Sequence, residues 1–200
     1  MAFDRARSFG LYRDTLRAAI LLLKFQRRER WGTKLGSLLV PVCESLLGPQ
    51  EAGAALVVPV PLHPARVRER GYNQADLLSV GLMRTFQKSP SRADLELHRK
   101  ILKKVRATPP QTGLSLAARH ENVRGVFAVR SPELVRNRVI LLVDDVMTTG
   151  ATLSACASVL KRVGAREVLG VTLARATPQF PDLGSDHDLV NIDEFASRRR

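Results

Sequence analysis

The stretch VILLVDDVMTTGAT, residues 139–152, constrains the fold and the chemistry of this chain more than any other part of the sequence. Its five apolar residues, 139–143, predict a strand that is buried on both faces. Two adjacent aspartates, Asp144 and Asp145, follow directly. Like charges side by side are costly where water is excluded. Their position therefore predicts a ligand at the end of this strand, one that needs negative charge and hydroxyl groups.

The turn after the aspartates has the composition of a phosphate seat. A helix is predicted over 152–163, and its N-terminus supplies unpaired N–H groups and partial positive charge. Gly150 lets the backbone come close to a ligand, and the neighbouring threonines add hydroxyl donors. Carboxylates only accept hydrogen bonds, so the aspartate pair suits two sugar hydroxyls. A phosphate seat beside acceptors for a diol predicts a ribose 5-phosphate ligand.

Two better-known phosphate motifs do not fit this stretch. A P-loop needs a lysine after its second glycine, and a dinucleotide fingerprint needs G-x-G-x-x-G. Both features are missing here. The remaining alternative is a solvent-facing aspartate pair that merely caps a helix. The apolar strand before the pair and the TTGAT sequence after it favour a ligand site over that alternative.

Strand and helix patterns alternate along most of the chain. This alternation predicts an α/β protein with a parallel sheet covered by helices on both faces. In such sheets ligands bind beyond the carboxyl ends of the strands, where Asp144 and Asp145 lie. The first predicted helix has Arg13, Arg17 and Lys24 outside its apolar face. Helices are predicted at 11–30, 33–48, 74–86, 114–123 and 152–163, strands at 55–60, 95–105, 125–129, 139–143 and 167–173, and irregular chain at 61–73, 106–113 and beyond 175.

Composition limits where the protein works and what it binds. No apolar run approaches the roughly 20 residues needed to span a bilayer, and no signal peptide pattern is found. We therefore expect a cytoplasmic protein without a membrane partner. The only cysteines, Cys43 and Cys156, lie far apart in apolar helical patterns. They are predicted to be buried free thiols.

The formal net charge of +13 attracts polyanions in general. Much of it lies in the stretch 84–106, which carries eight Lys and Arg against Asp94 and Glu96. Weak, sequence-independent binding of DNA backbone is one expectation from this charge. The low aromatic content of 5% argues against a base-stacking surface. The residues predicted for DNA contact are Lys100, Lys103, Lys104 and Arg106.

The segment LLVDDVMTTGAT closely resembles the phosphoribosyl pyrophosphate motif of type I phosphoribosyltransferases. VVPVPLHPARVRERGYNQA (57–75) and TPPQTGLSLAARHENVRGVFAV (108–129) lie upstream of it in an order and spacing similar to the ComF family. Members of that family are phosphoribosyltransferase-like proteins, some of them linked to DNA uptake during competence. The resemblance covers roughly residues 12–175. It implies the type I phosphoribosyltransferase fold, a mostly parallel twisted sheet flanked by helices. The expected parts are an N-terminal helical cap at 1–50, a core at 51–176 and a tail at 177–200.

The resemblance also implies roles for individual residues. Asp144 and Asp145 would accept hydrogen bonds from the ribose hydroxyls, and Asp145 is a candidate catalytic residue. A flexible loop would carry two more candidates, Arg106 and Gln111. The 5-phosphate would be held by Val146, Met147, Thr148, Thr149, Gly150, Ala151 and Thr152. The pyrophosphate-binding loop would consist of Val60, Pro61 and Leu62.

The chemistry of the implied reaction agrees with this layout. Pyrophosphate leaves C1 of the ribose while positive charge builds on the sugar, so cations beside the leaving group lower the barrier. Arg66 and Arg70 follow the first core strand, and Arg70 precedes the GYNQ segment of the family pattern. Mg²⁺ is the expected cofactor. It would be bound through the ligand, with no direct protein ligand other than Asp144 and Asp145 themselves.

We therefore predict a protein that binds phosphoribosyl pyrophosphate with Mg²⁺ and transfers the phosphoribosyl group to or from a nitrogen nucleophile. Two alternatives stay open: a non-catalytic sensor of the same ligand, and a DNA-handling protein in competence. The acceptor is not indicated, and self-association into a homo-oligomer is left open. Many family members carry a cysteine-rich zinc ribbon ahead of the first helix, whereas this sequence contains no C-x-x-C.

Overall fold

The computed structural model describes residues 1–25, 29–47, 55–89, 94–107 and 125–177. A five-stranded sheet lies at its centre, with strand order β1-β7-β6-β2-β3 and every neighbouring pair parallel. A separate antiparallel ribbon is formed by β4 and β5. The predicted parallel sheet is confirmed. The strands are β1 Arg5–Leu11, β2 Ala55–Pro59, β3 Leu95–Leu97, β4 Leu102–Lys104, β5 Phe127–Val129, β6 Val139–Met147 and β7 Glu167–Arg175.

Helices cover both faces of the sheet. The apolar part of strand β6 is buried, and its successive side chains point to opposite faces of the sheet. Leu141 and Val143 pack in a core with α1, α3 and α5, and this side is called the cap face. Leu142 packs on the opposite side with α7, which is called the α7 face. The helices are α1 Asp14–Phe25, α2 Glu29–Gly36, α3 Val40–Leu46, α4 Pro64–Arg70, α5 Gln74–Phe86, α6 Pro132–Val135 and α7 Ala151–Arg162, with a 3-10 turn at Ser37–Leu39.

Glycines allow the cap helices to pack closely against the core. Helices α2 and α5 pack so closely that a Cβ atom at Gly81 would overlap the backbone carbonyl of Thr33. A Cβ atom at Gly36 would likewise overlap the backbone of Leu78 and Gly81. Only glycine permits this backbone approach. The expected N-terminal helical cap is thus present, seated on α5.

The structure corrects several local predictions. The two helices predicted at 11–30 and 33–48 are instead α1, α2 and α3, with the 3-10 turn between α2 and α3. The helix predicted from residue 11 begins at Asp14, because residues 5–11 form strand β1 at the edge of the sheet. The strand predicted over 95–105 is split by a turn into β3 and β4. The predicted loop after β2 contains helix α4, with His63 as N-cap and Pro64 at a position where its missing N–H is harmless.

Other predictions lie partly or wholly outside the described residues. The helix expected at 114–123 and Gln111 fall in the stretch 108–124, and most of the tail falls in 178–200. The domain boundary at residue 50 stays a prediction, although β1, on its N-terminal side, belongs to the main sheet. Within the described ranges, no helix has the length and apolar character required to cross a bilayer. Both cysteines are buried free thiols, as predicted.

Candidate functional site

The aspartate pair lies inside strand β6 rather than after it. The strand continues to Met147, and Asp144 stands opposite Thr172 of β7 in the parallel register. Since neighbouring side chains of a strand point to opposite faces, the two carboxylates diverge. The Asp144 side chain points to the α7 face, like that of Leu142, and the Asp145 side chain points to the cap face, like that of Val143. Each carboxylate therefore has its own surroundings.

The carboxyl group of Asp144 is the most perturbed acid of the site. Burial and the neighbouring Asp145 carboxylate raise the pKa of Asp144 to about 8, although the residue as a whole is half-buried. The backbone N–H of Asp145 donates to Oδ1 of Asp144 at 2.9 Å and offsets part of that rise. Burial and the Asp144 charge also raise the pKa of the Cys156 thiol, which lies on α7. These surroundings thus favour the protonated form of Asp144 when no ligand is bound.

Asp145 is held by contacts that differ from those of Asp144. Its Oδ1 accepts from the backbone N–H of Val146 at 2.7 Å. The ammonium of Lys24, in the last turn of α1, lies 3.6 Å from its Oδ2. The two side chains are only 14% and 15% exposed. Sequence reasoning missed Lys24, because nothing in the helical pattern separates this lysine from Arg13 and Arg17.

The turn at Gly150 joins the end of β6 to the start of α7. Gly150 adopts a left-handed φ of 78° and directly precedes α7. The hydroxyl of Thr149 accepts from the backbone N–H of Ala151 at 3.3 Å, and the N–H of Ser154 donates to the Gly150 carbonyl at 2.8 Å. Turn and helix start therefore lie at the carboxyl end of β6, next to the aspartates, as the sequence predicted.

The N-terminal residues pack against this turn. A Cβ atom at Gly150 would lie 3.0 Å from Sδ of Met1 and 3.4 Å from the ring of Phe3. The backbone N–H of Ala2 donates to the hydroxyl of Ser154 at 3.0 Å. Sequence reasoning assigned no role to these residues. No signal in the sequence of residues 1–3 indicates this contact.

The predicted pyrophosphate loop is brought beside the aspartates by the pairing of β2 with β6. The backbone N–H of Val60 donates to the carbonyl of Val143 at 2.9 Å, and Pro61 and Leu62 follow half-buried. Asn73 ties this loop to α5. Its Nδ2 donates to the Val60 carbonyl at 2.9 Å, and its Oδ1 accepts from the N–H of Ala75 at 3.2 Å.

The predicted arginines take different positions. Burial lowers the pKa of the Arg70 guanidinium, and the charge of nearby Asp145 acts against that effect. Arg70 is half-buried on the aspartate side of α4, where its guanidinium still carries its charge. Arg66 is exposed and donates to Glu69 at 2.9 Å. Arg106 is also exposed. Of the three, Arg70 is the one that the fold brings next to the aspartates.

The predicted DNA contacts differ in their exposure. Lys100, Lys103 and Arg106 are exposed, whereas Lys104 is half-buried, with its ammonium 5.9 Å from the ring centre of Phe127. Burial lowers the pKa of Lys104, and the charges of Cys156 and Asp144 act in the opposite direction. Lys104 thus turns from the basic stretch toward the aspartates. DNA binding by the other three stays a prediction.

No group of three or more His, Cys, Asp or Glu side chains with the arrangement of a metal site occurs in the part of the chain that the structure describes. The two carboxylates of Asp144 and Asp145 nevertheless have the oxygen chemistry that Mg²⁺ prefers. They suit an ion that is held mainly by a phosphorylated ligand. A closed protein cage is not needed for such binding.

Comparison with protein families matches residues 80–196 to the phosphoribosyl transferase domain. The chain is 36% identical over 178 residues to "Competence protein F" of Haemophilus influenzae, covering 88% of this chain and 74% of that protein. It is also 36% identical over 160 residues to "DNA utilization protein YhgH" of Escherichia coli O6:H1, covering 78% of this chain and 66% of that protein. The chain thus spans about two thirds to three quarters of the length of these relatives.

Among solved structures, a hypoxanthine phosphoribosyltransferase from Staphylococcus aureus is 13% identical to the chain. The likeness covers 77% of this chain and 70% of that protein with a TM-score of 0.38. The predicted fold class is confirmed by the domain match together with the parallel sheet and its flanking helices.

Proposed function

We propose, from the premise that the chain belongs to the ComF family of proteins with a phosphoribosyl transferase domain, that it binds phosphoribosyl pyrophosphate with Mg²⁺ and transfers the phosphoribosyl group to or from a nitrogen nucleophile. One observation carries this proposal. Asp144 and Asp145 lie at the carboxyl end of β6, between the Val60 loop and the Gly150 turn. Acceptors for a diol thus stand between two backbone segments suited to phosphate groups.

The ligand would lie across the end of β6. Its 5-phosphate would take the Gly150 turn, where the start of α7 offers N–H groups and partial positive charge. The ribose hydroxyls would donate to Asp144 and Asp145. Because burial raises the pKa of Asp144, a ligand whose hydroxyls donate to the ionised carboxylate would displace its proton on binding. We therefore expect binding to release a proton near neutral pH.

The pyrophosphate would lie along the Val60 loop with Arg70 beside it. In the reaction the bond from C1 to the pyrophosphate oxygen breaks, and its electron pair leaves with the pyrophosphate. The lone pair of the nitrogen acceptor forms the new bond to C1, and the acceptor then loses its proton. Arg70 would stabilise the departing negative charge. Mg²⁺, when bound, would supply further positive charge to the leaving group.

Turnover separates an enzyme from a sensor of the same ligand. The test is pyrophosphate release from phosphoribosyl pyrophosphate with a panel of bases and amines as acceptors. We expect release with at least one acceptor, and strong loss of release in an Arg106→Ala, Gln111→Ala double variant whose ligand affinity stays within several-fold. Lys103→Ala is the matched control, because Lys103 is an exposed cation of β4, just before the segment that carries Arg106 and Gln111. Tight binding without release for every acceptor would favour the sensor.

DNA handling is the second candidate, favoured by the names of the two relatives and by the net charge of +13. Contacts to DNA phosphates release counterions, so affinity should fall steeply with salt. Replacement of Lys100, Lys103, Lys104 and Arg106 by alanine should then weaken binding and flatten the salt dependence. Binding that is unaffected by salt or by these replacements contradicts a DNA site on this stretch.

A further inference from the structure

We propose that Lys24 of the cap is a specificity-determining residue for the same ligand: it favours a sugar phosphate with a second anionic group at C1 over ribose 5-phosphate. This inference rests on the proposed function and deepens it. Lys24 belongs to α1, outside the strand ends that supply the rest of the site. Its ammonium reaches Asp145, which makes it the cap's contribution to the ribose site.

The position of Lys24 is fixed by its neighbours. Leu23 is fully buried in the core of the cap face, and its carbonyl accepts a 2.5 Å hydrogen bond from the hydroxyl of Tyr72. Tyr72 is itself buried and follows α4 directly. The end of α1 is thus fastened to the segment that also carries Arg70. Because its neighbour Leu23 is held by both side chain and backbone, the backbone at Lys24 is held in the position from which its ammonium reaches Asp145.

The 5-phosphate of the proposed ligand would lie toward the α7 face of the sheet, and its C1 side would lie toward the cap face. The Gly150 turn leads into α7 on the α7 face, whereas Lys24 approaches Asp145 from the cap face. A ribose whose 5-phosphate occupies the turn therefore directs its C1 side away from α7. On that side the charges near Asp145 are the cations Lys24 and Arg70. They lie where a C1 substituent would project.

The contact itself leaves Lys24 able to bind an anion. At 3.6 Å the ammonium and Oδ2 of Asp145 form an ion pair longer than an ordinary hydrogen bond. An ammonium has three donors, so one can point to Asp145 while another meets a phosphoryl oxygen. Both side chains are about 85% buried, so solvent screens their charges weakly. A ligand without a C1 anion gains little from this charge.

The experiment compares calorimetric titrations of the intact protein, Lys24→Met, Lys24→Gln and Lys34→Met with phosphoribosyl pyrophosphate and with ribose 5-phosphate, Mg²⁺ present throughout. Lys34→Met is the matched control, because Lys34 is an exposed cap lysine of α2 whose ammonium lies over the Trp31 ring. Lys24→Gln keeps a hydrogen bond donor for Asp145, and so provides a folded variant if Lys24→Met is unstable. The readout is the ratio of the two affinities.

We expect both Lys24 variants to lose at least tenfold in affinity for phosphoribosyl pyrophosphate and less than threefold for ribose 5-phosphate. Lys34→Met should leave both affinities within twofold. An unchanged ratio, or tighter binding by the Lys24 variants, overturns the inference while leaving the proposed function intact. Failure of the intact protein to bind phosphoribosyl pyrophosphate contradicts the proposed function, and this inference with it.

Discussion

The side-chain amide of Asn73 donates to the carbonyl of Val60 at 2.9 Å and so joins the end of β2 to the start of α5. The same side chain accepts from the N–H of Ala75 at 3.2 Å, which makes it the N-cap of that helix. Val60 in turn donates its N–H to the carbonyl of Val143 at 2.9 Å. One asparagine thus orders both the helix and the loop beside the aspartates.

Replacing Asn73 separates these two roles. Asn73→Ala should lower the free energy of unfolding by about 1–3 kcal/mol, because a lost cap costs about 1 kcal/mol and a lost hydrogen bond about as much. Asn73→Ser keeps a capping oxygen but is too short to reach Val60. It should recover about 1 kcal/mol of the loss. Urea unfolding measures both. Equal destabilisation by the two variants would show that Asn73 does not cap α5.

The raised pKa of Asp144 makes stability depend on pH. Its folded value of about 8 lies above the ordinary value of 3.8, so the folded state holds the proton more tightly between these limits. The stabilisation that this bound proton contributes is fully present below about pH 4 and is lost as pH rises through about 8. Asp144→Asn has no such proton, so its stability relative to the intact protein should increase from pH 6 to pH 9. Urea unfolding at several pH values checks this. Parallel curves for the two proteins would contradict a raised pKa.

The glycine contact between α2 and α5 predicts an unusual cost for alanine. Alanine normally stabilises a helix by about 1 kcal/mol relative to glycine. At Gly81 the added Cβ overlaps the Thr33 backbone, so Gly81→Ala should instead destabilise by about 1–3 kcal/mol. Arg84→Ala, at an exposed position of the same helix, should change stability by about 0.5 kcal/mol or less. A neutral or stabilising Gly81→Ala would mean that the cap does not pack on α5 in this way.

The central strand and the turn after it could be predicted from sequence because their signals are local. Five apolar residues, two aspartates and a Gly/Thr turn determine a buried strand, its charged end and a helix start without reference to the rest of the chain. Strand β1 was missed because it is half-exposed at the sheet edge and carries arginines at alternate positions. Its place in the sheet depends on pairing with β7, more than 160 residues away.

The partners of the aspartates could not be predicted for a similar reason. Lys24 and Lys104 read as solvated charges, one on a helix and one in a basic stretch, until the fold brings them to Asp145 and Asp144. Sequence spacing gives no distance between such segments. The pattern placed the aspartates after a strand, but the register of β6 with β7 extends past them. Only that register shows that the two carboxylates face different sides.

Calorimetric titration with phosphoribosyl pyrophosphate and Mg²⁺ tests the proposed ligand site most directly. The proteins are the intact chain, Asp145→Asn, and Glu133→Gln as a control with the same charge change at an exposed position. We predict saturable binding by the intact protein and by Glu133→Gln, and an affinity at least tenfold weaker for Asp145→Asn. A charge-assisted hydrogen bond contributes about 1.5–3 kcal/mol, and about 1.4 kcal/mol corresponds to a factor of ten in affinity. Equal affinities for all three proteins, or no binding by the intact protein, would contradict the site at Asp145.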